Sequence, residues 1–216
     1  MDTSWVFNVA ADIYAWFTAQ AAWRASCTRL AHELERFDPD VIVDLGCGPG
    51  VSTFELARLL PRARLLGLDV APRMLRQARS RTPAGLSIDW LRADAAGLPF
   101  ATASIAACTG HSFLYLVSDR AAVLREIRRV LRPGGRLVLM EPSVKGASPS
   151  GVLEVSRDPR HLLSVSLWRP FSRLHGRFTP ESLTHTLTAA GFVDCRVDET
   201  LGGLGLLASA AAASPD

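Results

Sequence analysis

Three aspartates and a run of alternating glycines are the residues in this chain whose types and spacing could do chemistry. Asp44 closes the apolar run Val41-Ile42-Val43, and glycine then falls at every second position, Gly46, Gly48 and Gly50, with Cys47 and Pro49 between them. Asp69 closes a second apolar run, and Asp94 follows a third that ends at Arg92. A β-branched run bounded by glycine predicts a buried parallel strand. The next residues, 52–60, carry Phe54, Leu56, Ala57, Leu59 and Leu60 at helical spacing. Strand, glycine turn and helix in that order present backbone N–H groups, and room beside them, to a ligand lying across the strand end. Asp69 stands 19 residues beyond Gly50, the length of one helix and one return strand. A right-handed βαβ unit brings that acid beside the glycine turn, where it can accept both hydroxyls of a ribose. The competing role, capping the next helix, suits Asp69 poorly because Ala71-Pro72 already opens that helix.

The glycine spacing separates two classes of nucleotide-like ligand. A dinucleotide fingerprint, G-x-G-x-x-G, needs glycine at position 51, which here is Val51. That disfavours a Rossmann dehydrogenase. G-x-G-x-G with an acid two residues before the first glycine resembles class I S-adenosylmethionine (SAM)-dependent methyltransferases. A longer stretch agrees: Ile127-Arg128-Arg129-Val130-Leu131-Arg132-Pro133-Gly134-Gly135-Arg136-Leu137 resembles the small-molecule group often called type 11, or UbiE-like. Ala189-Ala190-Gly191-Phe192 is another habit of that group. The chain departs from it at Ile105-Ala106, where the family commonly has Phe-Asp. The resemblance covers residues 41–141 strongly and the last third in outline.

The resemblance implies SAM as methyl donor and S-adenosylhomocysteine as product. It gives Asp44 the amine of the methionine part, and the turn Gly46, Cys47, Gly48 and Gly50 the space beside it. Asp69, with Val70 and Met74, attends the nucleoside. Asp94 takes the adenine amine, and the N–H of Ala95 reads a ring nitrogen. Tyr14, in the segment Phe7-Asn8-x-x-Ala11-x-x-Tyr14, resembles a residue that lies against the methionine part. The loop Gly110 to Asp119 follows the fourth strand, where the transferable methyl sits in that architecture. His111 is therefore the leading polar group beside the sulfonium. It is either a general base or a hydrogen-bonding wall, and its ordinary pKa near neutrality allows both. Tyr115 and His175 complete the catalytic candidates, and His161 is a further polar candidate.

These residues need an α/β frame: a Rossmann-like, doubly wound, seven-stranded sheet, with an N-terminal helical lid and an insertion after strand 5. Residues 1–37 read as two helices rich in Trp5, Trp16 and Trp23, which either pack on the sheet or close as a lid. Residues 38–141 hold the SAM-binding core, and residues 179–216 complete the sheet with a helix and a strand pair. Thr179-Pro180-Glu181 starts that helix, and the alanine-rich tail is expected to fray. Between them, residues 142–178 form a substrate-facing insertion that Pro149, Pro159 and Pro170 are expected to break into loops and short helices. There Val155, Leu163, Val165, Leu167 and Trp168 supply an apolar wall. The glycines of Arg132-Pro133-Gly134-Gly135 are expected to cap the helix before strand 5.

Composition limits the rest. A chain of 216 residues, 48% hydrophobic, with a net charge of +3, suits one globular domain. Its basic residues are scattered arginines apart from Lys145, which gives no nucleic-acid footprint. The cysteines Cys27, Cys47, Cys108 and Cys195 lie far apart and read as free thiols in a reducing cytoplasm. No metal constellation appears. The expected partner is a hydrophobic or aromatic small molecule methylated on O, N or C, in a cytoplasmic monomer or homodimer. Two other readings stay open: a lipid-headgroup methyltransferase touching membrane through its first helix, and a SAM-binding module without transfer.

Overall fold

The chain is described by a computed structural model covering residues 20–146, 155–156 and 158–213. Apolar residues alternate along its strands, and that alternation decides the layering. In β1 (Val41–Leu45), Ile42 faces one side, packing with Leu30, Leu34 and Leu56, while Val43 and Leu45 face the other, packing with Leu124 and Ile127. The strand is therefore buried on both faces, as a near-continuous apolar run requires. In the same way β2 (Arg64–Asp69) divides Leu65 from Leu66 and Leu68, and β5 (Leu131–Pro142) divides Val138 and Met140 from Leu137 and Leu139.

With β3 (Ile88–Arg92), β4 (Ile105–His111), β6 (Phe192–Thr200) and β7 (Gly205–Ala212), these make one seven-stranded sheet of order β3-β2-β1-β4-β5-β7-β6. The first five in that order run parallel, and β7 is antiparallel to both its neighbours. The order reverses between β1 and β4, so the carboxyl ends of those two strands open the crevice where such sheets take ligands. Helix α1 (Ala21–Glu35) lays Cys27, Leu30, Ala31 and Leu34 on the sheet as a helical stripe. It packs beside α2 (Val51–Leu59). After β2 comes α3 (Pro72–Arg81), and before β5 comes α4 (Arg120–Val130), whose N-cap Asp119 accepts from the N–H of Ala122. The insertion carries α5 (Pro159–His175), and α6 (Pro180–Ala189) leads into β6.

Four expectations change. The insertion holds one helix of 17 residues that runs through Pro170. Pro159 occupies its first turn, where a missing N–H costs nothing, and Asp158 caps it by accepting from Arg160 N–H at 2.8 Å. The turn 132–135 lies inside β5: Leu131 pairs with Ile105 and Arg136 with Ala107, so the glycines bulge out of the strand. The cap of α4 is Leu131 in an extended conformation. The alanine-rich stretch is the interior strand β7, with Ala208, Ala210, Ala211 and Ala212 buried. Tertiary pairing on both edges overrides the poor strand propensity of alanine. Finally, Gly110 and His111 close β4 instead of standing in the loop after it, with His111 opposite Met140. The helix before Phe37-Asp38 and the capping of α6 by Thr179 follow the sequence reading, with Ser182 closing the capping box. The first of the two N-terminal helices, with Tyr14, lies outside the described residues.

Candidate functional site

The crevice has two clefts, one at the glycine turn and one beyond it. At the turn, Gly46, Gly48 and Gly50 all have positive φ. A side chain at Gly46 would meet Phe113 at 2.7 Å, and one at Gly50 would meet Phe54 and Trp90 at 2.8 Å. The glycines therefore admit aromatic rings of the protein itself against the turn, as well as leaving its outer face open. The outer face is a cleft of about 260 Å³ lined by Gly46, Cys47, Gly48, Ser52, Trp23 and His111 among others.

The acids surround it. Asp44 is fully buried at the end of β1 and accepts from Ser52 Oγ and Thr53 Oγ1, both at 2.6 Å through Oδ2. Its Oδ1 has no partner. Burial pushes its pKa up to about 6, against the two hydroxyl bonds and with a smaller push from Asp69. Asp69 accepts from the N–H of Gly48 at 2.9 Å and from that of Ala71 at 2.8 Å. Ala71 is the N-cap of α3, so Asp69 also holds the start of that helix, the role that the sequence reading set aside. Burial raises its pKa, opposed by those N–H bonds. Val70 beside it is exposed, and Met74 is buried in α3. Asp94 is exposed and accepts from Ala96 N–H at 2.9 Å, while Ala95 is buried. The buried Cys47 thiol is pushed well up by burial and by both aspartates.

The second cleft, about 550 Å³, lies between β4, β5, α1 and α5. Its walls are mostly apolar: Trp23, Met140, Val155, Val165, Trp168 and Leu204. Leu163 and Leu167, expected in that wall, face outward and are about half exposed. Trp23 and His111 line both clefts. Their rings meet at 4.5 Å between centroids. Ser26 fixes the state of that histidine. Its Oγ lies 2.6 Å from the carbonyl of Trp23 and 2.7 Å from His111 Nε2. A carbonyl only accepts, so the hydroxyl proton goes to Trp23, and Ser26 must accept from Nε2–H. His111 Nδ1 is then a bare acceptor, and it has no protein partner. Burial lowers the pKa of His111 to about 4, so the ring is neutral near pH 7. Ser112, next along, holds a positive φ of 54°, an uncommon conformation for a side chain of its kind.

Glu141, at the end of β5, fills a role the sequence reading missed. It is fully buried, and its carboxylate accepts from the N–H groups of Phe113 at 3.1 Å, Leu114 at 2.7 Å and Tyr115 at 3.1 Å. It thereby fixes the turn that presses Phe113 on Gly46. Burial pushes its pKa up to about 7 despite those bonds and nearby Arg120. An acid closing an apolar strand, as Asp44 and Asp69 do, was the signal for it. Tyr115 and His175 pack against each other at 6.4 Å, and neither lines the two clefts. His175 Nδ1 bonds the carbonyl of Phe171, and Arg120 ties the carbonyls of Tyr115 and His175 together. His161 does line the large cleft, with Nε2 unpartnered. No group of three or more possible metal ligands occurs among the described residues.

SAM fits the donors and acceptors at the turn. The unpartnered Asp44 Oδ1 is a buried acceptor beside an open glycine turn, and Asp69 and Asp94 add further acceptors for amine and hydroxyl donors.

Comparison with known proteins agrees. Residues 42–135 match the model of a family described as a methyltransferase domain. A demethylmenaquinone methyltransferase of Thermus thermophilus is 40% identical over 134 residues, 61% of this chain and 60% of that one. The chain spans about half the length of the curated relatives it matches. A methyltransferase solved in complex with the Trm112 methyltransferase activator of Haloferax volcanii shares the fold over 96% of this chain and 98% of its own, with a TM-score of 0.72 at 22% identity. The cyclase SpnF shares it over 98% and 95%, with a TM-score of 0.70 at 18% identity. Over residues 42–135 the chain is thus similar to class I SAM-dependent methyltransferase domains, UbiE-like enzymes among them.

Proposed function

We propose that the protein transfers a methyl group from SAM to O, N or C of a hydrophobic or aromatic small molecule. The observation that carries this is the common wall: Trp23 and His111 belong both to the cleft at the glycine turn and to the large apolar cleft. A donor in the first and an acceptor in the second would meet at those two side chains. In this reading Asp69 accepts from the ribose hydroxyls, Asp94 from the adenine amine, and Asp44 Oδ1 from the amine of the methionine part. Bound SAM supplies an electrophilic methyl on a sulfonium. The protein's share is to hold the acceptor in line and to keep water away, which the apolar wall of Met140, Val165 and Trp168 favours. His111 Nδ1 is available to accept a proton from a reacting hydroxyl or amine, and an acceptor with no proton to lose would not use it.

Calorimetry with S-adenosylhomocysteine tests the cofactor half. We expect binding that weakens at least about 100-fold in Asp69→Ala, the loss of two charge-assisted hydrogen bonds. Binding of NADH instead would overturn the reading. Incubation with labelled SAM and a metabolite extract tests transfer and reports the acceptor. A second reading, a SAM-binding module with no transfer, draws support from SpnF, a cyclase on the same fold. S-adenosylhomocysteine binding with no label transferred to any metabolite favours it. No helix among the described residues is long and apolar enough to cross a membrane. Flotation with anionic vesicles tests the lipid-headgroup alternative, which fails if the chain stays unbound.

A further inference from the structure

Four residues that line the large cleft each carry a buried side-chain polar atom with no partner among the described residues: Gln20 Oε1, His111 Nδ1, His161 Nε2 and Trp168 Nε1. Buried polar groups are almost always paired, so such a concentration around one cavity marks groups kept for a ligand. Gln20 Oε1, an amide oxygen, can only accept, and two of the others also have a definite sense. Trp168 Nε1–H can only donate. His111 Nδ1 can only accept while Ser26 takes the proton of Nε2–H, and Ser26 is committed to that by its own bond to the Trp23 carbonyl. His111 and Ser26 are both more than nine-tenths buried, so water does not readily replace either partner. The ring of Trp23 tilts over His111, and that of Trp168 lines the same cavity, which offers flat surfaces to a flat guest.

We infer that the large cleft takes an aromatic hydroxy-ketone or a close equivalent. Its hydroxyl donates to His111 Nδ1, its second oxygen accepts from Trp168 Nε1–H, and Ser26 is the positioning residue that keeps Nδ1 an acceptor. This deepens the methyltransferase reading and rests on it only for what happens to the hydroxyl afterwards. The binding claim concerns side chains of this chain alone. A methyl ether in place of the hydroxyl leaves Nδ1 facing a group with no proton, and a buried acceptor without its donor weakens binding by an order of magnitude or more.

The test is binding, read by calorimetry with and without S-adenosylhomocysteine, of three compounds: 6-acetyl-2-naphthol, its methyl ether and 2-naphthol. The acetyl naphthol should bind at least about tenfold tighter than its ether, and tighter than 2-naphthol. Ser26→Ala should shrink the preference over the ether, Ser26→Thr should keep it, and Trp168→Phe should erase the advantage of the acetyl group. Thermal melts of each variant separate these effects from unfolding. Nitrogen-15 NMR of labelled histidine gives a readout free of ligand. His111 should carry its proton on Nε2 in the wild type, and Ser26→Ala should populate the Nδ1–H form. A wild type protonated on Nδ1, equal binding of naphthol and ether, or a preference unchanged in Ser26→Ala overturns the proposal. If naphthol discriminates as expected while S-adenosylhomocysteine fails to bind, the cleft assignment stands and the methyltransferase reading falls.

Discussion

The glycine turn and the large cleft meet at His111, yet they are built in opposite ways. Around the turn, polar groups are paired across short spans of chain: Ser52 and Thr53 with Asp44, Gly48 and Ala71 with Asp69. Asp44 Oδ1 and Thr109 Oγ1, on paired positions of β1 and β4, are exceptions. Around the cleft, Gln20, His111, His161 and Trp168 come from three distant stretches of sequence, and each leaves a buried atom unpaired. The turn is a finished piece of backbone chemistry that a ligand supplements. The cleft keeps buried polar atoms unpaired, which is the basis for proposing a guest there.

Four measurements break or sharpen that contrast. Glu141 joins the two regions by holding the turn at Phe113, so Glu141→Ala should cost the most. Three buried N–H groups lose their acceptor, for about 4 kcal/mol in urea denaturation. Hydrogen exchange should speed up at Phe113, Leu114 and Tyr115. Next comes pH. His111 titrates at about 4 when folded, below its ordinary value of 6.5. As pH falls, the unfolded chain takes this proton first, so the folded state loses stability from about pH 6.5 down to about pH 4, by about 3 kcal/mol. Asp44 and Glu141, both raised, act with the opposite sign, their contributions falling as pH rises through about 3.8 to 6 and 4.5 to 7. They are common to wild type and His111→Asn and cancel in the comparison. The variant should therefore gain on the wild type by about 3 kcal/mol between pH 7 and pH 4.

Gly50→Ala probes the finished turn. A Cβ there meets Phe54 and Trp90 at 2.8 Å on a backbone of φ 90°, which should cost about 2 kcal/mol and weaken S-adenosylhomocysteine binding. The smallest effect belongs to Asp158→Ala. Loss of the N-cap should cost about 1 kcal/mol, confined to α5, and should lower affinity for the naphthol while sparing the cofactor side. Equal losses on both sides would erase the contrast.

The same contrast explains what could be read from the sequence. Asp44, the glycines and Asp69 sit within 26 residues of one another, because a strand, a turn, a helix and a strand are contiguous. Local spacing therefore carries their geometry. Ser26 and His111 touch across 85 residues, and no local pattern announces that a serine in a helical stripe will bond a histidine at a strand end. His111 was legible as a candidate, but its place on β4 was not, since Gly110 reads as the end of a strand that in fact runs on to His111. The length of α5 was hidden by Pro170, whose usual breaking effect is overridden by packing. The strand β7 was hidden by its alanines, which are small enough to be enclosed between β5 and β6 but weak as strand formers.

Trp23 and His111, which wall both clefts, carry one more consequence. A side chain shared by two cavities cannot shift for one occupant without changing the shape offered to the other. If donor and acceptor fill the two as proposed, such a shift would link their binding, and linkage is reciprocal: whatever factor the cofactor adds to the affinity for the acceptor, the acceptor returns to the cofactor. The two rings, 4.5 Å apart, would carry that coupling without a hinge or domain movement.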